Sequence, residues 1–300
     1  MRTVKIVEVG PRDGLQNEQI NLDVDTRVEF INLLSVTGLN NIEIGSFVSP
    51  NWVPQMANTS EVLAGLKISN YSKINYSALV PNLQGLEQLF HKKCSTDLGS
   101  IAVFTAASET FCKKNINCTI AESLERFKSV IKLSLEHDKP IRGYISCVLG
   151  CPYEGKIKPE IVTKIAKELL DMGCYEISLG DTIGVGTILQ VQNLISHVSK
   201  EVSVNKLAVH FHDTYGQALV NVYTALEMGV NTVDSAVAGL GGCPYAAGAS
   251  GNLATEDLLY MLDGLNIKTS IDMNRLISAG HFICKKLNII PRSKISLQRF

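Results

Sequence analysis

The sequence has no CxxC pair, no GxGxxG turn after its first strand-like run, and no apolar stretch near the ~20 residues of a membrane span. It also lacks an excess of either charge: 28 Lys and Arg stand against 29 Asp and Glu, for a net −1. Without a basic surplus there is no electrostatic footprint for nucleic acid or an anionic membrane. Without GxGxxG the usual phosphate turn of a doubly wound dinucleotide fold is missing. The eight cysteines (94, 112, 118, 147, 151, 174, 243 and 284) form no thiolate cluster for structural zinc. With no secretory h-region at the N-terminus, they read as free thiols of a cytoplasmic protein. What is present is 45% apolar and 19% charged residues over 300 positions, enough to bury a sizeable core.

Short β-branched runs alternate with longer amphipathic segments. Strands are expected at Val4–Val9, Asn41–Ile44, Ile74–Val80, Ser100–Phe104, Ile141–Cys147, Tyr175–Leu179, Leu207–Phe211 and Thr232–Ala236. Helices are expected at Asp25–Thr37, Ser60–Lys67, Asn82–Phe90, Ile120–His137, Pro159–Met172, Gly186–Val198, Tyr215–Met228 and Thr255–Leu262. Thr119-Ile120-Ala121-Glu122 reads as a capping box, and Pro159 suits a first helical turn. Gly38, Gly173 and Gly229 mark helix ends. Eight βα units with no strand-only block predict an α/β (β/α)8 TIM barrel. We read residues 1–300 as one domain, with an additional C-terminal helix at about 272–287.

The active site of such a barrel lies at the C-terminal ends of its strands. The polar residues expected there are Arg12 and Asp13, Glu43 and Ser46, Tyr144, Ser178, Asp181 and Thr182, His210 and His212. His210 and His212 are two apart on one strand, so both imidazoles project from one face. With a carboxylate and an amide oxygen they make a mixed N/O donor set, which suits Mn2+ or Mg2+. A hydrogen-bonded polar pair and a non-haem iron site stay open on this spacing. Arg12-Asp13 is either an ion pair closing the barrel, or a metal-ligating carboxylate beside a cation that faces a developing oxyanion. Gly239–Gly251 holds five glycines in thirteen residues, with Cys243 among them. It is either a plain loop or a segment that delivers a thiol to the substrate. Cys147 and Cys151 are packing residues or a redox pair.

Several long stretches resemble the 3-hydroxy-3-methylglutaryl-CoA lyase family, in order and over essentially the whole chain. The densest are Val7–Glu18, Glu43–Pro50, Gly150–Lys156, Ile177–Gly184, His210–Gln217, Val237–Tyr245 and Asn252–Asp257. The resemblance implies a TIM-barrel metallolyase that breaks a carbon–carbon bond next to an enolate. It implies Asp13, His210, His212 and Asn252 as ligands of a divalent metal, Mg2+ or Mn2+. Arg12 would bind the thioester carbonyl and Cys243 would be the catalytic thiol. Glu43, Asp181 and Glu256 would be supporting carboxylates. Arg12, Gln16, Ser46, Tyr144, Ser178 and Thr182 are the substrate-facing positions.

The implied reaction cleaves 3-hydroxy-3-methylglutaryl-CoA to acetyl-CoA and acetoacetate, as in leucine degradation. Asp13 is the candidate base with His210 as relay, and Cys243 the candidate donor to C2. The expected partners are an acyl-CoA and a second copy of the chain, with no nucleic acid and no membrane. A lyase for another hydroxyacyl-CoA, a condensing enzyme using acetyl-CoA and a 2-oxo acid, and a non-catalytic barrel are the alternatives.

Overall fold

The computed structural model of the chain describes residues 3–66, 73–91, 98–241 and 251–298. Its eight strands are β1 (Lys5–Glu8), β2 (Asn41–Ser46), β3 (Asn75–Leu79), β4 (Ser100–Ala106), β5 (Ile141–Ser146), β6 (Glu176–Asp181), β7 (Leu207–Phe211) and β8 (Thr232–Ser235). Each pairs in parallel with the next, and β8 returns to β1 with Val7 opposite Asp234. The result is the expected closed barrel.

The outer layer comprises α1 (Val24–Ser35), α2 (Thr59–Gly65), α3 (Leu83–His91), α4 (Glu109–Ile116), α5 (Ile120–Glu136), α6 (Pro159–Asp171), α7 (Ile188–Val198), α8 (Ala218–Glu227) and α9 (Thr255–Gly264). Two more follow, α10 (Met273–Leu287) and α11 (Lys294–Leu297). The α5 capping box forms: Thr119 Oγ1 accepts from Glu122 N at 3.1 Å, and Glu122 Oε2 accepts from Thr119 N at 2.7 Å. Behind it Leu124, Phe127, Val130 and Ile131 bury one face at helical spacing.

The departures from expectation cluster where the strands end. Helix α7 begins at Ile188, not Gly186, because the Asp181 carboxylate takes Val185 N (3.2 Å) and Gly186 N (2.8 Å) into a turn. Helix α8 begins at Ala218, not Tyr215, because Asp213 Oδ1 accepts from Ala218 N at 3.0 Å. Helix α4 was not anticipated, although Ser108 caps it at Phe111 N (3.1 Å). Its eight residues are too few for a 3.6-residue period to stand out.

Barrel interiors are usually filled by branched aliphatic side chains. Here the outward strand positions carry them, Ile42, Ile177, Leu179, Val209, Phe211 and Val233 among others, packed under the helices. The inward positions of several strands are polar instead. Alternation on β5 presents Arg142 and Tyr144, on β6 Glu176 and Ser178, and on β8 Thr232 and Asp234. They join in one column: Lys5 and Thr232 meet Glu176, Glu176 meets Arg142 (2.7 Å), and Arg142 meets Asp234 (2.8 Å).

Candidate functional site

The column rises into a cleft of about 240 Å3 at the C-terminal ends of the strands. Its walls include Arg12, Asp13, Gln16, Tyr144, Thr182, His210 and His212. Four local devices build this floor.

The first follows β1. Gly10–Gly14 is a one-turn π-helix closed by Gly14 N donating to Val9 O at 3.1 Å. It turns Arg12 and Asp13 together over the barrel. The second is a register shift in β2 between Glu43 and Gly45, a bulge beside which Glu43 stays fully buried. The third is plain strand alternation, which puts His210 and His212 on one face of the barrel top, with ring centroids 5.4 Å apart. The fourth is the return of the chain at residues 251–254 alongside β7 and β8. Asp213 N donates to Gly251 O (2.7 Å) and Ala236 N to Leu253 O (2.9 Å). That return sets Asn252 opposite His212. Gly241 precedes it at φ +91°, so close that a Cβ there would stand 2.8 Å from Asn252 Nδ2.

Arg12 is the hub. Its Nε donates to Glu43 Oε2 and its Nη1 to Asp13 Oδ1, both at 2.6 Å. Burial opposes its charge, but these two carboxylates overcome that and hold the guanidinium charged. Burial pushes the Glu43 carboxyl up, with Arg12 opposing. Asp13 is half-buried, and desolvation opposes its charge, yet Arg12 and then His210 hold its carboxyl well below the usual range. That keeps it ionised, the form in which a carboxylate either ligates a metal or accepts a proton.

The two histidines differ. His210 Nε2 lies 3.6 Å from Asp13 Oδ2, and its Nδ1 lies 3.3 Å from Asp234 Oδ2. Burial disfavours its cation, but the bonds to Asp13 and Asp234 prevail and raise it to about 9. His212 is lowered to about 4, first by burial and then by the neighbouring His210. Its Nδ1 is buried without a hydrogen-bond partner among the described residues.

Asp13, His210 and His212 each offer one ligand atom, all within 4.8 Å of one another. Two imidazoles and a carboxylate, with an orphaned ring nitrogen among them, fit a divalent cation with N/O preference. Asn252 touches the same group. Its amide nitrogen donates to Asp13 Oδ2 (2.9 Å) and Leu240 O (3.1 Å), so ligation through its oxygen would require the amide to turn over.

The remaining expected residues divide. Gln16, Tyr144 and Thr182 line the cleft, and Thr182 Oγ1 also accepts from Cys147 N at 2.9 Å. Ser46 and Ser178 do not line it. Ser46 Oγ accepts from Val48 N (3.1 Å) in the loop after β2, and Ser178 Oγ donates to Asp234 Oδ2 (2.8 Å) below the floor. Glu43 braces Arg12 and Asp181 braces the loop after β6. Glu256 lies under the turn at Val237–Gly239. Both its oxygens accept from Ala238 N, and Oε1 accepts from Ser296 Oγ (2.9 Å). Cys147 and Cys151 are free, buried and packed with Phe111 and Cys112. Burial pushes the Cys147 thiol up, against a redox role. Cys243 lies outside the described residues.

Two buried carboxylates beneath the site escaped sequence reading. Asp234 reads there as one more polar residue in a strand, and its partner Arg142 is 92 residues away. Glu8 reads the same way. Yet its Oε1 accepts from Gly10 N (2.8 Å) and Val237 N (2.9 Å), and its Oε2 from Thr255 Oγ1 (2.7 Å). The available signal for both was an ionisable residue on a strand next to apolar neighbours.

Comparison with known proteins adds three findings. A family model described as HMGL-like matches residues 3–283. The chain is similar to a rat protein named 3-hydroxy-3-methylglutaryl-CoA lyase, cytoplasmic. Identity is 57% over 297 residues, spanning 99% of this chain and 85% of that one. It is also similar to the crystal structure of hydroxymethylglutaryl-CoA lyase from Pseudomonas aeruginosa. Identity is 51% and the TM-score 0.95, covering 99% of this chain and 97% of that chain. An HMG-CoA lyase from Acinetobacter baumannii, solved with coenzyme A and 3-methylmalate, matches at 35% identity and TM-score 0.90. The match covers 98% and 94% of the two chains.

Proposed function

This chain belongs to the HMGL-like family, and from that premise we propose that it cleaves 3-hydroxy-3-methylglutaryl-CoA to acetyl-CoA and acetoacetate, a step of leucine degradation. The observation that carries the reading is the convergence of Asp13, His210 and His212 beside Arg12 in one cleft, in a chain so similar to proteins of that name.

The substrate is a tertiary alcohol. Cleavage of its C2–C3 bond passes the hydroxyl proton to Asp13, with His210 as relay, while C2 departs as a thioester enolate, so negative charge grows at two oxygens. Asp13, His210 and His212, with Asn252 if its amide turns, would hold a divalent cation, Mg2+ or Mn2+. Such a cation would supply Lewis acidity where the alkoxide charge develops. Arg12, held in place by Glu43 and Asp13, faces the thioester oxygen and stabilises the enolate. Tyr144 stacks under Arg12, its ring 5.2 Å from the guanidinium carbon. Gln16 and Thr182 complete the wall. Cys243 is assigned the proton donor to C2, a role that rests on the family resemblance.

The partner is an acyl-CoA, supported by the coenzyme A bound in the Acinetobacter relative. A cytoplasmic location is supported by the rat relative's name. No helix among the described residues is long and apolar enough to cross a membrane. A homodimer is the proposed assembly, to be read by light scattering.

The deciding experiment is acetoacetate release from 3-hydroxy-3-methylglutaryl-CoA by metal-stripped protein, with and without Mg2+ or Mn2+, beside His212→Ala. Metal-dependent release that is lost in the variant supports the reading. No release with either metal refutes the substrate. The alternatives, other hydroxyacyl-CoAs and acetyl-CoA with 2-oxo acids, are then screened.

A further inference from the structure

The two histidines of the site face opposite supports. Among the described residues His212 Nδ1 is buried with no hydrogen-bond partner, whereas His210 Nδ1 faces an anion on the neighbouring strand. That anion, Asp234, stands directly across the β7–β8 ladder from His210, so both side chains project from the same face. It is 2% exposed. Its Oδ1 accepts from Arg142 Nη2 (2.8 Å), and its Oδ2 from Arg142 Nη1 (2.9 Å) and Ser178 Oγ (2.8 Å). Arg142 is itself tied to Glu176 Oε1 (2.7 Å) and Tyr144 Oη (2.9 Å). A carboxylate gripped from three sides has little freedom to rotate.

We propose that Asp234 is a positioning residue: when a cation takes the place of the Nε2 proton of His210, Asp234 keeps the remaining proton on Nδ1, fixes the ring plane, and so aims Nε2 at the metal position. The inference rests on the metal reading of Asp13, His210 and His212. The carboxylate behind His210 increases the basicity of its ligating nitrogen. Arg142 and Ser178 act a step further back, by locking the carboxylate.

Two measurements test this without turnover. Titration of metal-free protein with Mn2+, followed by the electron paramagnetic resonance signal of the free ion, gives its affinity. Asp234→Asn should weaken it roughly 10- to 100-fold. Ser178→Ala, which removes one bond to the same oxygen and leaves the histidine contact, should shift it by less than about threefold. Binding retained at full strength in Asp234→Asn would overturn the proposal alone. Absence of Mn2+ binding in the unmodified protein would overturn the metal site and the proposal together. Should Asp234→Asn fail to fold, 15N spectra of histidine-labelled, Mg2+-saturated protein decide. A proton on Nδ1 of His210 with Nε2 bare is the expected signature, and a proton on Nε2 refutes the role.

Discussion

Replacing Arg12 separates two jobs that a single side chain performs. In Arg12→Gln, Glu43 loses its cation. Its Oε1 already has no partner, and its Oε2 keeps only the Tyr144 hydroxyl at 3.3 Å. Breaking a buried ion pair by removing one member costs ~3–5 kcal/mol. Asp13 retains its bond from Asn252, and Glu43 can take up a proton, so the lower part of that range is expected. Turnover should fall by at least ~10²–10³, the effect of removing one donor to a developing oxyanion.

The double variant Arg12→Gln/Glu43→Gln removes both charges. Its stability should return to within ~1 kcal/mol of the parent, since replacing both members of a buried pair is close to neutral. Its turnover should stay as low as that of the single variant. Urea melts give the stabilities and acetoacetate release gives the rates. If the double variant regained activity along with stability, Arg12 would be shown only to neutralise Glu43, and its assignment to the enolate oxygen would be wrong. Mn2+ affinity in both variants should match or exceed the parent, because Arg12 and a metal compete for Asp13.

Other perturbations read other parts of the molecule. Mn2+ at a hundred times its dissociation constant should stabilise the protein by ~2.7 kcal/mol against urea, and His212→Ala should abolish that gain. An undiminished gain would remove His212 from the site. Burial raises the Glu256 carboxyl to about 8 from an ordinary 4.5, so the folded chain keeps a proton that the unfolded chain has released. This contribution is complete below the unfolded value and lost as pH climbs through the folded one, at up to ~1.4 kcal/mol per pH unit. Glu256→Gln, which keeps an acceptor for Ala238, should flatten the decline of Tm across that window. A slope identical to the parent's refutes the shift. Thr119→Ala should cost ~1 kcal/mol through the lost cap of α5 and leave kcat unchanged, as a melt and a rate measurement will show.

The barrel was legible because eight β-branched runs alternate with amphipathic segments, and because Gly38, Gly173 and Gly229 stand at helix ends with φ between +96° and +114°. The histidine pair was legible for an equally local reason: two residues apart on a strand means one face. Asp13 was legible as a carboxylate at the end of the first strand, whereas Asn252 was found through family resemblance, since nothing local links residues 239 apart. What stayed hidden is the wiring. Ser178 is read as substrate-facing because it sits on the right strand, but its hydroxyl bonds Asp234 in the layer below. Asp213 and Asp181 consume turn residues that periodicity assigns to helices. In each case the outcome depends on a partner that sequence distance does not reveal.

The Glu8 clamp has a consequence for how the protein is made. A ribosome releases Arg12 and Asp13 first, while Val237 and Thr255, which share Glu8 with Gly10, emerge near the end of synthesis. Until the last strand slots between β7 and β1, a growing chain carries Glu8 and Asp13 without their full set of partners. A chain that stops short of residue 237 leaves Glu8 with Gly10 as the only one of these three donors, so the turn that carries Arg12 and Asp13 lacks its anchor to the far end of the sequence.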